Sequence, residues 1–322
     1  MTALIEAHGL TKSFGTLKAV DGISLTVPRG QVLGFLGPNG AGKSTTMRLI
    51  TGFLEPDAGS ARIAGLDVQE AAKQAKQKLG YLPEGAPLYA EMTPRGFLSF
   101  VAELRGLQGK DLAGAVGKAV ERTGLGPVLD QTIETLSKGY KRRVGIAQAI
   151  LHEPEVLIMD EPTDGLDPNQ KHHVRQLIME MAKEKAIIVS THILEEVEAV
   201  CTRAVVINKG RVVADGTAED LMKLVPYHGA VSIRVAGDKA DAVRGALSGL
   251  ASVKEIETVG SENGRLQLRA IPKNGAGIVT DVASAIRQKA VAVDEIFVER
   301  GKLDDVFRQL TSSDLDERNT NA

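Results

Sequence analysis

Gly37-Pro38-Asn39-Gly40-Ala41-Gly42-Lys43-Ser44 fits the spacing G-x-x-x-x-G-K-[ST] at every fixed position, and Thr45 follows it. Glycines at these places let the backbone wrap closely round an anion with its N–H groups pointing at phosphate oxygens. A helix starting at Lys43 would add its positive end to the same site. Lys43 would reach the β- and γ-phosphates of a nucleoside triphosphate, and the Ser44 hydroxyl would coordinate Mg²⁺. The competing reading is a plain glycine-rich turn, and the strand–loop–helix context argues against it. A second candidate is Asp160-Glu161, which ends the apolar run Val156-Leu157-Ile158-Met159. A buried strand would carry both acids to its C-terminal edge beside the phosphate loop. Asp160 would hold Mg²⁺ through water, and Glu161 would orient and deprotonate an attacking water.

These residues need a sheet to stand on. Val32–Leu36 reads as a buried strand ending in the glycine loop, and a helix is expected from Lys43 to about Leu54 before Glu55-Pro56-Asp57-Ala58-Gly59 breaks it. Residues 93–128 read as mostly helical. Ala186–Ser190 is a third buried strand, and Val205–Ile207 with Arg211–Val213 flank a hairpin turn. Short apolar runs alternating with helices predict an α/β domain around a largely parallel sheet.

The rhythm changes after Pro226. A strand at Val231–Val235, a helix at Lys239–Leu250, and strands at Val253–Val259 and Leu266–Ala270 follow. A helix at Ala276–Lys289 and a strand at Val291–Val298 complete a β-α-β-β-α-β order, which predicts a small α+β domain of the ferredoxin-like kind. The expected organisation is residues 1–225, with a helical subdomain at about 85–150, then 226–311, and a disordered polar tail at 312–322.

Composition narrows the function. Lys+Arg and Asp+Glu number 39 and 41, and there is no Trp, which argues against nucleic acid as a ligand. No run approaches the roughly eighteen apolar residues of a membrane helix, Glu6 interrupts the N-terminal apolar patch, and Cys201 is the single cysteine. The expectation is a cytoplasmic chain in a reducing compartment.

The phosphate loop alone does not choose among GTPases, kinases, helicases and transport ATPases. The remaining motifs do: Leu136-Ser137-Lys138-Gly139-Tyr140, Asp160-Glu161-Pro162-Thr163, Gly165-Leu166-Asp167 and Ser190-Thr191-His192, in that order, over about residues 4–220. Together they resemble the ATP-binding subunits of ABC transporters. The resemblance implies a nucleotide-binding domain with ATP and Mg²⁺ as cofactors, Phe14 stacking on adenine, and Glu84 standing where the family has a Gln that contacts the metal or its water. It also implies that Ser137, Lys138, Gly139 and Tyr140 contact the γ-phosphate of ATP held by a second copy. His192 would be the switch histidine that senses that phosphate, and Asp167 would link the two sites across the dimer. Ser137 also reads, from its own neighbours, as the N-cap of a helix with an apolar face at Val144, Ala147 and Leu151. In the basic run Lys138, Lys141, Arg142, Arg143, a solvated helix face is expected for all but Arg143, which would fix that helix.

Two departures from the common pattern stand out, namely Lys138 and Tyr140 in place of Gly and Gln in the signature, and Glu84 in place of an amide. Such departures resemble a subgroup of exporter ATPases that includes relatives linked to gliding motility and nitrous-oxide-reductase maturation. The implied partner is an integral-membrane permease on a separate chain, seated near Glu84–Met92, with the ATPase peripheral on the inner face of the cell membrane. The alternative is a soluble non-transport ABC ATPase of translation or DNA repair, which the single phosphate loop disfavours. A non-hydrolysing regulator is disfavoured by the presence of Glu161 and His192.

Overall fold

The structure, a computed structural model, describes residues 3–85, 87–273 and 277–312. It divides into two compact units between Ala218 and Glu219.

The first unit runs β1 (Ala3–Phe14), β2 (Leu17–Pro28), β3 (Val32–Leu36), α1 (Lys43–Ile50), β4 (Ala58–Ile63), β5 (Leu66–Asp67), α2 (Ala72–Gln77) and β6 (Leu79–Leu82). Helices α3 (Pro94–Leu104), α4 (Gly109–Thr123) and α5 (Lys138–Ile150) follow, then β7 (Val156–Asp160), α6 (Pro168–Ala182), β8 (Ala186–Thr191) and α7 (Leu194–Val200). The hairpin β9 (Arg203–Asn208) and β10 (Arg211–Gly216) and the short α8 (Ala218–Met222) reach the division point.

Six strands form the central sheet in the order β10-β9-β3-β8-β7-β6, parallel except for the edge strand β10. Every residue of β3, β7 and β8 is buried, and successive side chains feed two different cores. Leu33, Phe35, Val156, Ile158, Ala186 and Ile188 point to one side, and Val32, Leu157, Met159, Ile187 and Val189 to the other. Burial on both faces is why these strands read as unbroken apolar runs. One core is closed by an antiparallel sheet in the order β2-β1-β4-β5, the other by α3 to α6.

Several boundaries differ from the sequence expectation. Helix α1 stops at Ile50, where Thr51 and Gly52 (φ 66°) turn the chain. The expected helical run 93–128 is two α-helices broken at Gly106 and Gly109, both at positive φ, followed by a 3-10 turn at Gly126–Val128. The long strands β1 and β2 form no part of the sequence reading.

The second unit carries β11 (Val231–Ala236), α9 (Ala240–Leu247), β12 (Val253–Glu262), β13 (Arg265–Pro272), α10 (Val279–Gln288), β14 (Glu295–Val298) and α11 (Leu303–Ser312). Its sheet order is β12-β13-β11-β14, with every neighbouring pair antiparallel. Val231, Ile233, Val235, Leu268 and Ala270 pack under Val243, Leu247, Val282 and Ile286 of the two helices. Asn263 and Gly264, both at positive φ, make the tight turn between β12 and β13. The strand expected from Val291 narrows to four residues, while Val291 and Val293 pack on the core outside the ladder. The unit boundary precedes the expected 225/226 border. The tail expected at 312–322 lies, beyond Ser312, outside the described residues.

Among the described residues no helix is long and apolar enough to cross a membrane.

Candidate nucleotide site

β3 delivers the glycine loop between β8 and β9 at the C-terminal edge of the parallel strands, where ligands of open α/β sheets bind. Glycine is required at both ends of the loop. A Cβ on Gly37 would lie 2.4 Å from the Ile207 carbonyl oxygen, and one on Gly42 (φ 105°) equally close to that of Ala19. Lys43 opens α1 and is buried, its ammonium donating to the carbonyls of Gly37 (2.7 Å) and Pro38 (3.1 Å). Burial pulls its pKa down, and the carboxylates of Glu161, Asp160 and Glu84 oppose that pull.

Asp160 ends β7 and Glu161 follows it, with β8 between that strand and β3. Asp160 is 2% exposed and pairs in register with Ser190 of β8, whose hydroxyl donates to the Asp160 carboxylate. The Glu161 N–H meets the Ser190 hydroxyl at 3.0 Å and the Ser190 carbonyl at 3.2 Å. Glu161 takes a left-handed backbone (φ 51°), which costs a non-glycine residue about 1 kcal/mol or more. Its carboxylate lies 3.0 Å from His192 Nδ1 through either oxygen. Burial raises the Glu161 pKa, and the contacts with His192 and Lys43 hold back the rise.

A cleft of about 590 Å³ gathers Phe14, Asn39, Gly40, Gly42, Lys43, Ser44, Thr45, Glu84, Asp160, Glu161 and His192. Gly37, Pro38 and Ala41 complete the same loop behind it. Phe14 and its cross-strand partner Leu17 stand exposed at the mouth, 51% and 66% accessible. The hydroxyl of Ser44 and the carboxylates of Asp160 and Glu84 suit a Mg²⁺ ion, which takes one or two carboxylates alongside substrate phosphates rather than an all-protein cage.

The signature residues do not line this cleft. Ser137 is the N-cap of α5, accepting from the Tyr140 N–H at 3.3 Å, and both Ser137 and Lys138 are exposed. Lys138 pairs with Asp164 at 2.8 Å, which lowers the Asp164 pKa. Gly139 is buried against Gln170, and Tyr140 lies under the Arg143 guanidinium, 5.4 Å from its ring centre. Asp167 caps α6, accepting from the Gln170 N–H at 2.9 Å. A neighbouring groove of about 400 Å³ joins Glu84 and Leu88 to Lys138, Arg142, Glu161 and Asp164.

The basic run departs from expectation. Arg142, expected on a solvated face, is buried, and its guanidinium reaches the backbone of Asp160, Glu161 and Pro83. Arg143, expected to fix the helix, stacks on Tyr140 of the same helix. Ser190 and Asp164 also belong to the site and were not singled out from sequence. Ser190 stands two residues before His192, and its place opposite Asp160 follows only from strand register.

Comparison with known proteins finds relatives among ABC transporter subunits. A family profile described as ABC transporter matches residues 20–164. The chain is 31% identical to the linearmycin resistance ATP-binding protein LnrL of Bacillus subtilis (strain 168) over 97% of its length and 99% of that protein. It is also 31% identical to the Nod factor export ATP-binding protein I of Ralstonia nicotianae (strain ATCC BAA-1114 / GMI1000), over 98% of this chain and 95% of the relative. A solved structure of an ATP binding subunit of an ABC transporter superposes with a TM-score of 0.64 at 32% identity, covering 68% of this chain and 92% of that one.

Proposed function

The chain belongs to the ABC transporter family of ATP-hydrolysing subunits, and from that premise we propose that two copies close around two ATP molecules and drive a separate membrane permease outward. The observation that carries the reading is the convergence of Lys43, Asp160, Glu161 and His192 on one phosphate loop. A soluble ATPase of translation or repair is set aside, because the full-length relatives are named for resistance and export.

In this reading the backbone of Gly37–Thr45 cradles the phosphates, and the Lys43 ammonium turns from the loop carbonyls to the β- and γ-phosphates. Phe14 stacks on the adenine. Ser44, Asp160 and Glu84 hold Mg²⁺, which neutralises phosphate charge when bound. Glu161 takes the proton of the attacking water, with His192 orienting its carboxylate and reporting the γ-phosphate. The exposed α5 start at Ser137 lies outside the nucleotide cleft of its own chain. That favours its use, with Lys138, Gly139, Tyr140 and Asp167, towards the ATP of a second copy.

The groove at Glu84 and Leu88 is the proposed seat of a permease segment, which would hold the chain on the inner face of the membrane. Residues 1–225 are the proposed cassette, with the helices of about 85–150 as its subdomain. Residues 226–311 are read as ferredoxin-like, supported by the antiparallel order β12-β13-β11-β14 and serving dimer contact or regulation.

Glu161→Gln tests the chemistry. Phosphate release should fall at least a hundredfold while ATP-bound dimers accumulate in light scattering; ordinary turnover would remove Glu161 from its role. Affinity isolation from gently solubilised native membranes tests the assembly, and a stoichiometric multi-span protein is the expected companion.

A further inference from the structure

Glu161 is held in a left-handed backbone by groups on both sides. Ser190 fixes its N–H, and the Glu161 carbonyl accepts from the Asp164 N–H at 3.1 Å. The remaining hold comes from α5. One terminal nitrogen of Arg142 donates to the Asp160 carbonyl and, at 2.5 Å, to the Glu161 carbonyl. The other terminal nitrogen donates to Pro83 at 3.1 Å, one residue before Glu84. The two clamped carbonyls bracket the Glu161 α-carbon, so the guanidinium spans the residue whose backbone is strained. Arg142 is 8% exposed, and every hydrogen bond it makes among the described residues goes to a backbone carbonyl rather than a carboxylate. That pattern fits a brace for main-chain conformation more than an ion pair.

We infer that Arg142 is a positioning residue for hydrolysis: it fixes the turn that aims the Glu161 carboxylate into the nucleotide cleft and ties the Glu84 loop to the same point. The inference rests on Glu161 being the base. Because α5 begins at Ser137 and Lys138, and Lys138 also holds Asp164, a displacement of the signature helix is passed to Glu161 through Arg142. A lysine cannot substitute, since a single ammonium lacks the planar fork that reaches several carbonyls at once.

Arg142→Lys, Arg142→Met and Glu161→Gln in the whole chain, compared with the parent, test this through kcat, KM, affinity for a fluorescent ATP analogue and thermal stability. Arg142→Lys should lose about tenfold or more in kcat while binding the nucleotide within about threefold of the parent. Arg142→Met should lose more in kcat, again with nucleotide affinity and KM within about threefold of the parent. Parental kcat in Arg142→Lys would overturn the inference, as would a loss that only tracks lost nucleotide binding and thermal stability. If Arg142→Met does not fold, Arg142→Lys alone decides. Turnover retained by Glu161→Gln would instead sink the base assignment, whereas a dead Glu161→Gln beside a normal Arg142→Lys would sink only the brace.

Discussion

At the scale of single residues, the site sets opposing demands on Lys43 and Glu161. Burial drives the lysine towards neutrality and the glutamate towards its protonated form, while each favours the charge on the other. As the proposed base, Glu161 acts only when ionised, and its pKa is raised. The acid limb of kcat should therefore fall above the ordinary glutamate value of about 4.3, and a pH–rate profile checks it. Lys43→Ala should weaken ATP binding by tenfold or more, measured by analogue titration, because the cradle loses its only side-chain cation while keeping its N–H groups. The loop and the acid pair were legible in the sequence because their chemistry lies in contiguous residues. Arg142 was not. It sits in a run of four basic residues within six positions, and only the approach of α5 to the end of β7 sets its buried guanidinium apart from its less buried neighbours.

At the scale of elements, legibility followed burial. β3, β7 and β8 are enclosed on both faces and announce themselves as apolar runs. β1 and β2 lie in an antiparallel sheet, mix buried with exposed positions, and carry charged residues such as Lys12 and Asp21. Their pattern is therefore diluted below recognition. In the second unit β14 is cut short because Val291 and Val293 reach the core from irregular backbone, and apolar spacing does not distinguish that from a ladder. Packing also sets where glycine is obligatory. β6 runs so close to α5 that a Cβ on Gly80 would lie 2.1 Å from the Ala149 carbonyl oxygen. Gly80→Ala should cost about 1–3 kcal/mol in urea unfolding. Gly114, exposed within α4 with nothing near its missing Cβ, should behave oppositely. Gly114→Ala should stabilise by roughly 0.5–1 kcal/mol through helix propensity.

At the scale of the whole molecule, every residue that lines the nucleotide cleft lies between Phe14 and His192, inside the first unit. A chain ending at residue 225 should bind ATP within about threefold of the full protein, measured by the same titration. If the second unit serves dimer contact, that truncation should weaken ATP-dependent dimerisation; unchanged dimerisation would leave regulation as its role. The chain divides within α8, a five-residue helix that carries no periodic signal of its own, ahead of the change of strand and helix rhythm after Pro226.

The sheet order has a consequence for synthesis. β3, which carries the phosphate loop, is complete by residue 36, yet its two neighbours are β8 and β9, which end at Thr191 and Asn208. A growing chain therefore holds this apolar strand without its partners until roughly two-thirds of the protein has been made. Non-local parallel pairing of this kind is slow and leaves strand edges open meanwhile. Ribosome-bound fragments ending before Asn208 should fail to retain ATP, and the nascent chain should depend on chaperones until that point is passed.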